Sequence, residues 1–256
     1  MEQTISPELV AALRGARHLV ILTGAGVSAE SGVPTFRGPM SGLWERFEPA
    51  QLASADAFRR DPELVWGWYE WRRMLVSKAQ PNPAHLAIAR MAAKVPRLTL
   101  VTQNVDDLHE RAGSDNLLHL HGSLHHPICF ACRRPHALPP GIPEEPDDGR
   151  RLAPPLCGHC GARIRPGVVW FGESLPKDVW AAAAAASDEC DMLISVGTSA
   201  LVHPAASLPL RVAERRRPVV QVNPERTALS AVADYDLTGP AGLLMPALYE
   251  AAWGAA

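Results

Sequence analysis

No apolar run in this 256-residue chain approaches the ~18 to 20 residues that a membrane-spanning helix needs. The opening MEQTISPELV lacks a charged stretch followed by an apolar one, so no secretory signal is read there. An excess of one charge is missing too. Lys and Arg number 25 against 27 Asp and Glu, a formal net charge of −2. That balance gives no electrostatic reason to expect a nucleic-acid or membrane partner. No internal repeat is visible, which sets aside solenoids and propellers. These absences point to a cytoplasmic protein. What is present is material for a core. Apolar residues make up 47 % of a length that suits one large domain, or one domain with a smaller insertion.

Cysteine is also scarce, at five residues, yet four of the five form a pattern: Cys129-x-x-Cys132 and Cys157-x-x-Cys160. In a reducing compartment such pairs read as thiolate ligands for structural Zn²⁺, which needs two short knuckles brought together by the fold. The alternative is four unpaired thiols. The stretch between the pairs contains LPPGIPEEPDDGR, a loop by composition. His159, inside the second pair, is expected to be exposed. Cys190 stands alone before a strand and reads as a small core residue.

Short apolar runs recur: HLVIL near Val20, LTLVT near Leu100, LLHLHG near Leu120, VVWFG near Val169, MLISVG near Ile194 and PVVQVN near Val220. Their continuous apolar character suits strands buried on both faces. Helical stretches lie between most of them. Asn82 and Pro83 are a cap and first-turn proline for AHLAIARMAAKV. DDLHERAG starts acidic and ends in glycine, and PKDVWAAAAAASDE is alanine-rich. Alternating strands and helices predict an α/β fold with a doubly wound parallel sheet. A Trp-rich helical segment and the cysteine segment interrupt it.

Directly after the first apolar run comes GAGVSAESGVPTFRG, Gly24 to Gly38. In a dinucleotide site the first glycine makes a tight turn, the second admits the pyrophosphate, and a small third residue allows close packing. Gly24, Gly26 and Ala29 fill these places. A dehydrogenase would next need a second strand ending in a ribose-binding acid, about 20 residues on. GLWERFEPAQ occupies that region and does not read as a strand, which counts against hydride transfer. Pro34-Thr35-Phe36-Arg37 instead reads as an ordered loop bringing an aromatic ring and a cation near the nucleotide. Three more clusters sit at expected strand ends: TQNVDDLH with Gln103, Asn104 and Asp106; HLHGS with His119 and His121; VGTS with Gly197, Thr198 and Ser199. Each has a plainer reading. Asn104 and Asp106 could cap the next helix, and His121 could be a satisfied core histidine. Four clusters converging on one sheet edge favour a site.

These motifs, with the four cysteines and VVWFGE, run in order from about residue 18 to 240 and resemble the sirtuins, NAD-dependent protein lysine deacylases. The resemblance implies that the Gly-rich turn holds NAD and that the loop after it closes over the nicotinamide ribose. The acyl-lysine carbonyl oxygen attacks C1′ of that ribose and nicotinamide leaves. His121 is then the general base that lets the 2′-hydroxyl attack. Free lysine and O-acyl-ADP-ribose are the products. An imidazole titrates near neutral pH and suits that proton transfer. Asn104 would hold a ribose hydroxyl, Asp106 would accept from the nicotinamide carboxamide, and Phe36 would keep water away. The implied NAD set also includes Ala25, Ser28, Glu30, Thr35, Arg37, Gln103, Val105 and Ala241. Gly197, Thr198 and Ser199, with Asn223, Pro224 and Glu225, would hold the adenosine half. Val168, Val169, Trp170, Phe171, Gly172 and Glu173 would offer backbone to an acyl-lysine peptide as an added strand.

One feature narrows the substrate. Residues three apart share a helix face. Leu64, Trp68, Trp71 and Leu75 make one apolar stripe, and Val65, Tyr69, Arg72 and Val76 make its neighbour. Arg72 could be a snorkelling arginine beside an interfacial tyrosine. Tyr69-x-x-Arg72 also looks like the signature of the sirtuin class that removes succinyl and malonyl groups, in which the pair binds the distal carboxylate. Ala53 matches a small residue that leaves room there. Ser54-Ala55 departs from the Thr-Pro often found beside it, so the pocket wall is expected to differ.

The expected organisation is a Rossmann-like domain from residues 1–37, 78–124 and 166–256. A smaller split domain would comprise helical residues 38–77 and zinc-ribbon residues 125–165. The expected function is desuccinylation and demalonylation, with deacetylation retained. The alternatives are a mono-ADP-ribosyltransferase, a deacetylase without acidic-acyl preference, and a non-catalytic NAD sensor. Retention of His121, Asn104 and Asp106 together argues against the sensor.

Overall fold

The structure is a computed structural model that describes residues 5–34 and 47–254. Helix α1 (Pro7–Gly15) starts where Ser6 Oγ accepts from Leu9 N at 3.2 Å and Pro7 fills the first helical position. It leads into β1 (His18–Thr23), whose six residues are all buried. Leu19 and Ile21 enter one apolar cluster while Val20 and Leu22 enter another. That is the period-two split of a strand covered on both faces.

Three helices follow the turn after β1: α2 (Pro49–Leu52), α3 (Ala55–Arg60) and α4 (Pro62–Lys78). Asp61 caps α4 by accepting from Leu64 N at 3.1 Å. Helix α5 (Pro83–Met91) begins with the expected Asn82 cap, completed by His85 in a reciprocal capping box. Then come β2 (Arg97–Thr102), the one-turn α6 (Leu108–Arg111) and β3 (Leu117–His119). A two-stranded antiparallel unit, β4 (Gly122–Cys129) with β5 (Ile164–Val168), flanks the cysteine region. The chain ends with α7 (Lys177–Glu189), β6 (Met192–Val196), α8 (Ser207–Glu214), β7 (Val219–Asn223), β8 (Tyr235–Thr238) and α9 (Ala241–Trp253).

Six strands form one parallel sheet in the order β3-β2-β1-β6-β7-β8. Helices α1, α5 and α9 cover one face, with Leu13, Ile88 and Met245 packed on Ile21, Ile194 and Val220. Helices α7 and α8 cover the other, with Ala183, Leu208 and Val212 on Val20 and Leu193. A third cluster lies outside the sheet. It gathers Phe58, Trp68, Tyr69, Trp71, Cys129, Ile164 and Trp170. Each fully buried large apolar side chain contributes roughly 1.5 to 3 kcal/mol relative to exposure. Among the described residues no helix is long and apolar enough to cross a membrane.

The expected VVWFG strand is corrected. β5 ends at Val168 and lies outside the main sheet. Residues 169–173 form a bend closed by Glu173 N donating to Trp170 O at 2.9 Å. Its run is apolar because Trp170 is packed under α3 and α4, not because the segment lies in a ladder.

Candidate active site

β1 and β6 are neighbours at the centre of the sheet, and strand order reverses between them. Ligands in open α/β sheets bind at such a point, beyond the carboxyl ends of the strands. Here the two following loops touch. Gly24 N donates to Val196 O at 3.0 Å, and Gly26 N donates to Gly197 O at 2.9 Å. Gly197 has φ +62°, and a Cβ on Gly26 would lie 2.8 Å from Gly197 Cα. Only glycines permit this approach. The turn continues as a 3-10 helix over Ala25–Ser31, where a dinucleotide fold usually opens an α-helix.

A cavity of about 360 Å³ opens beside this contact. Gly24, Ala25, Gly26, Ser28, Gly197, Thr198 and Ser199 line one side. Gln103, Asn104, Val105 and Asp106 enter from the end of β2, and His121 from beyond β3. Four buried polar side chains share the floor. Ser28 Oγ donates to Asp106 Oδ2 at 3.0 Å and accepts from Asn104 Nδ2 at 3.1 Å. His85 Nε2 stands 3.4 Å from the same hydroxyl. Asp106 Oδ1 also accepts from Leu108 N at 3.1 Å, satisfying a first-turn donor of α6 although the cap position itself is Asp107. Burial raises the Asp106 carboxyl above its ordinary value, opposed by the donors from Leu108 and Ser28. Burial pulls His85 down to about 4. His119 is bound elsewhere, with Nε2 2.7 Å from a Glu110 oxygen.

His121 Nδ1 lies 3.0 Å from Gln103 O. A carbonyl oxygen can only accept, so Nδ1 carries the proton and Nε2 is left as the basic nitrogen. Burial lowers His121 below its ordinary pKa, with the Gln103 contact opposing in part. The imidazole is therefore neutral near pH 7, the state a general base requires.

The far wall comes from the third cluster. Ala53, Tyr69, Arg72 and residues 168–173 all line the cavity. The backbone of this last segment is tied on both sides: Val169 N donates to His121 O at 2.8 Å, and Phe171 N donates to Ala53 O at 2.9 Å. Arg72 is buried on α4, its guanidinium 5.1 Å from the Trp68 ring centroid. Burial lowers its pKa, yet arginine stays charged, so this is a cation held inside the wall. The two stripes expected on α4 are not set apart, because Trp66, Glu70, Arg73 and Met74 between them are buried too. Val65, Trp68, Trp71 and Val76 are buried, and Leu64 and Leu75 are half-buried.

The four paired cysteines converge. Their sulfurs all lie within 4.8 Å of one another. Cys129 Sγ is 3.5 Å from Cys160 Sγ, and Cys132 Sγ is 3.8 Å from Cys157 Sγ. Four thiolates about 2.3 Å from a tetrahedral zinc have an edge of about 3.8 Å, so the donor set fits Zn²⁺ and leaves no open position. His159 is exposed and Cys190 buried, as expected.

Several expected NAD residues stand outside the cavity lining. Ala29 and Glu30 are exposed, and Glu30 Oε2 accepts from Gly242 N at 2.6 Å at the start of α9. Ala241 is buried beside that contact. Asn223 and Glu225 bond to each other, Nδ2 to carbonyl at 2.7 Å, with Pro224 between them beyond β7. Thr35, Phe36 and Arg37 lie outside the described residues. Sequence reasoning missed Val33, Val76, Leu175, Val202 and His203 in the lining, and His85 beneath it. Val33 had a signal inside the glycine-rich motif, and Val76 one in the stripe it shares with Tyr69 and Arg72.

This fold and cavity define a class. The chain belongs to the Sir2 family, whose model matches residues 24–204. With that family it is an NAD-dependent protein lysine deacylase. It is 61 % identical to a Methylococcus capsulatus protein named NAD-dependent protein deacylase, covering 96 % of each chain. It is 55 % identical to NAD-dependent protein deacylase 1 of Pseudomonas aeruginosa, covering 96 % of this chain and 98 % of that one. A crystal structure of a Sir2 homolog–NAD complex superposes with TM-score 0.87 at 47 % identity, over 96 % of this chain and 93 % of the other. A Sir2–p53 peptide–NAD⁺ complex gives 0.82 at 31 %, over 96 % and 98 %.

Proposed function

We propose that this deacylase removes dicarboxylic acyl groups, succinyl and malonyl, from lysine side chains of proteins or peptides and retains deacetylation. The carrying observation is Arg72, a buried cation beside Tyr69 in the same cavity as His121. An acetyl group offers nothing for that charge to meet, whereas a carboxylate at the end of a longer chain does. Ala53 leaves the wall low at that place.

The touching glycine turns and the buried donors and acceptors on the cavity floor suit NAD. When bound, NAD supplies the ADP-ribosyl group that takes over the acyl group as nicotinamide leaves. The protein's part is orientation and proton transfer. Asn104 and Asp106 orient ribose and carboxamide from the floor. His121 Nε2 receives a hydroxyl proton while Nδ1 stays fixed on Gln103 O. Residues 168–173 dock the peptide backbone. Zinc on Cys129, Cys132, Cys157 and Cys160 holds the ribbon together and takes no part in chemistry.

The division into a Rossmann-like domain and a split small domain, at the boundaries given above, belongs to this reading. The separate apolar clusters support it. A mono-ADP-ribosyltransferase would make a different product. Mass spectrometry of products from acetyl-, malonyl- and succinyl-lysine peptides with NAD separates the readings. O-acyl-ADP-ribose from all three peptides is expected. ADP-ribosylated protein, or acetyl turnover alone, would overturn the proposal.

A further inference from the structure

Trp170 and Tyr69 are 101 positions apart in the chain, and the indole Nε1 donates to Tyr69 Oη at 2.9 Å. Both residues line the cavity. An indole N–H can only donate, so the phenol oxygen must accept in this bond. The one phenol proton is then left for another partner. Burial pushes the Tyr69 pKa well up, so that proton stays on the oxygen at any ordinary pH.

Trp170 is held at its ring by Arg165 and at its backbone N–H by Glu173. The Arg165 guanidinium stacks on its ring with Cζ 3.5 Å from the centroid. Glu173 Oε2 accepts from Trp170 N at 2.9 Å. Arg165 is in turn fixed by a bidentate pair with Glu173 and by donating to Val168 O at 2.8 Å. Arg165 is 1 % exposed, too deep to touch substrate, and this closed arrangement of a buried cation around one indole needs a purpose.

We infer that Trp170 is a specificity-determining positioning residue, braced by Arg165 and Glu173, whose indole N–H fixes the polarity of the Tyr69 hydroxyl so that its proton is donated into the acyl pocket. The inference rests on the proposal that Tyr69 and Arg72 receive an acyl carboxylate. A hydroxyl free to rotate would spend part of its time presenting lone pairs to that anion. One held as an acceptor from behind presents only its proton.

The test is a double-mutant cycle read as the ratio of succinyl to acetyl kcat/KM. Trp170→Phe deletes the N–H and keeps a ring for Arg165. Replacement of Trp170 by benzothienylalanine, with sulfur for N–H in the same two-ring shape, guards against a packing effect. Either change should lower the ratio about three- to tenfold, through KM for the succinyl peptide. In a Tyr69→Phe background the same changes should lower it no further. An equal loss of both activities, or the same fall in the ratio with Phe at position 69, would overturn the inference. The reading beneath it is judged separately by Arg72→Met. If that variant loses succinyl activity selectively while the cycle is additive, only the role of Trp170 fails. A wild-type enzyme without succinyl activity removes both.

Discussion

The backbone carbonyl of His121 accepts the N–H of Val169 at 2.8 Å, while the imidazole of the same residue is fixed on Gln103 O. One residue thus joins the nucleotide side of the cavity to the segment proposed to dock peptide. The proposed peptide-docking segment and the proposed base are thereby fixed to each other.

His121→Ala should leave NAD binding largely intact and collapse deacylation, because the Gln103 and Val169 backbones remain in place. Loss of a general base typically costs ~10² to 10⁴ in rate. NAD affinity by calorimetry and turnover with an acetyl-lysine peptide decide it. Near-normal turnover in a folded variant would remove His121 from the mechanism.

Arg72→Met keeps the stem's bulk and removes the charge. A succinyl carboxylate would then be buried without its partner, costing on the order of 2 to 5 kcal/mol. That is a fall of ~30-fold or more in succinyl kcat/KM. Acetyl kcat/KM should fall far less. Tyr69→Phe should show the same selectivity more weakly, since it removes one neutral donor. Equal losses for both acyl groups would make Arg72 a structural arginine.

Cys157→Ser should release zinc and loosen residues 125–165, because binding to four thiolates is folding free energy for a ribbon with little core of its own. Atomic absorption and hydrogen exchange read the two effects. Wild-type protein purified without zinc would count against the site.

Acid should destabilise the fold through its buried histidines. His85 is held at about 4 and His109 is lowered well below its ordinary value, both by burial first. In the unfolded chain each titrates near 6.5. Their contribution is therefore present above pH 6.5 and is lost as pH falls toward the folded values, because the unfolded state binds the extra protons. Each costs up to about 1.4 kcal/mol per pH unit inside that window. Urea unfolding between pH 7 and 4.5 should show this slope, and His85→Gln should flatten it. Identical slopes in the two proteins would show that His85 carries none of it.

The sequence made the centre of this fold legible because strands covered on both faces have little choice of residue. HLVILT and MLISV are buried at every position and mostly apolar. The edge was not legible. β8 reads YDLT, half polar and half-buried, and nothing local separates it from a turn. VVWFG misled for the opposite reason, since Val168 and Trp170 serve the third cluster and Phe171 is exposed, so the run is not a strand of the sheet. Glycine spacing and CxxC pairs identified their sites because tight turns and tetrahedral thiolates impose short, local patterns. His85 under Ser28 and Trp170 on Tyr69 are meetings of distant segments, which no window of sequence contains.

The three apolar clusters have a consequence for how such an enzyme diversifies. Most residues proposed to hold NAD follow strands sandwiched by the first two cores, with Val105 on the third, and Ala53, Tyr69 and Arg72, proposed for the acyl wall, belong to the helical segment of the third. On that reading, a change in the proposed acyl wall falls on the third core, away from the glycine contact between the β1 and β6 turns. Acyl preference can therefore drift among descendants while the dinucleotide half stays constant, as if a fixed handle carried interchangeable jaws.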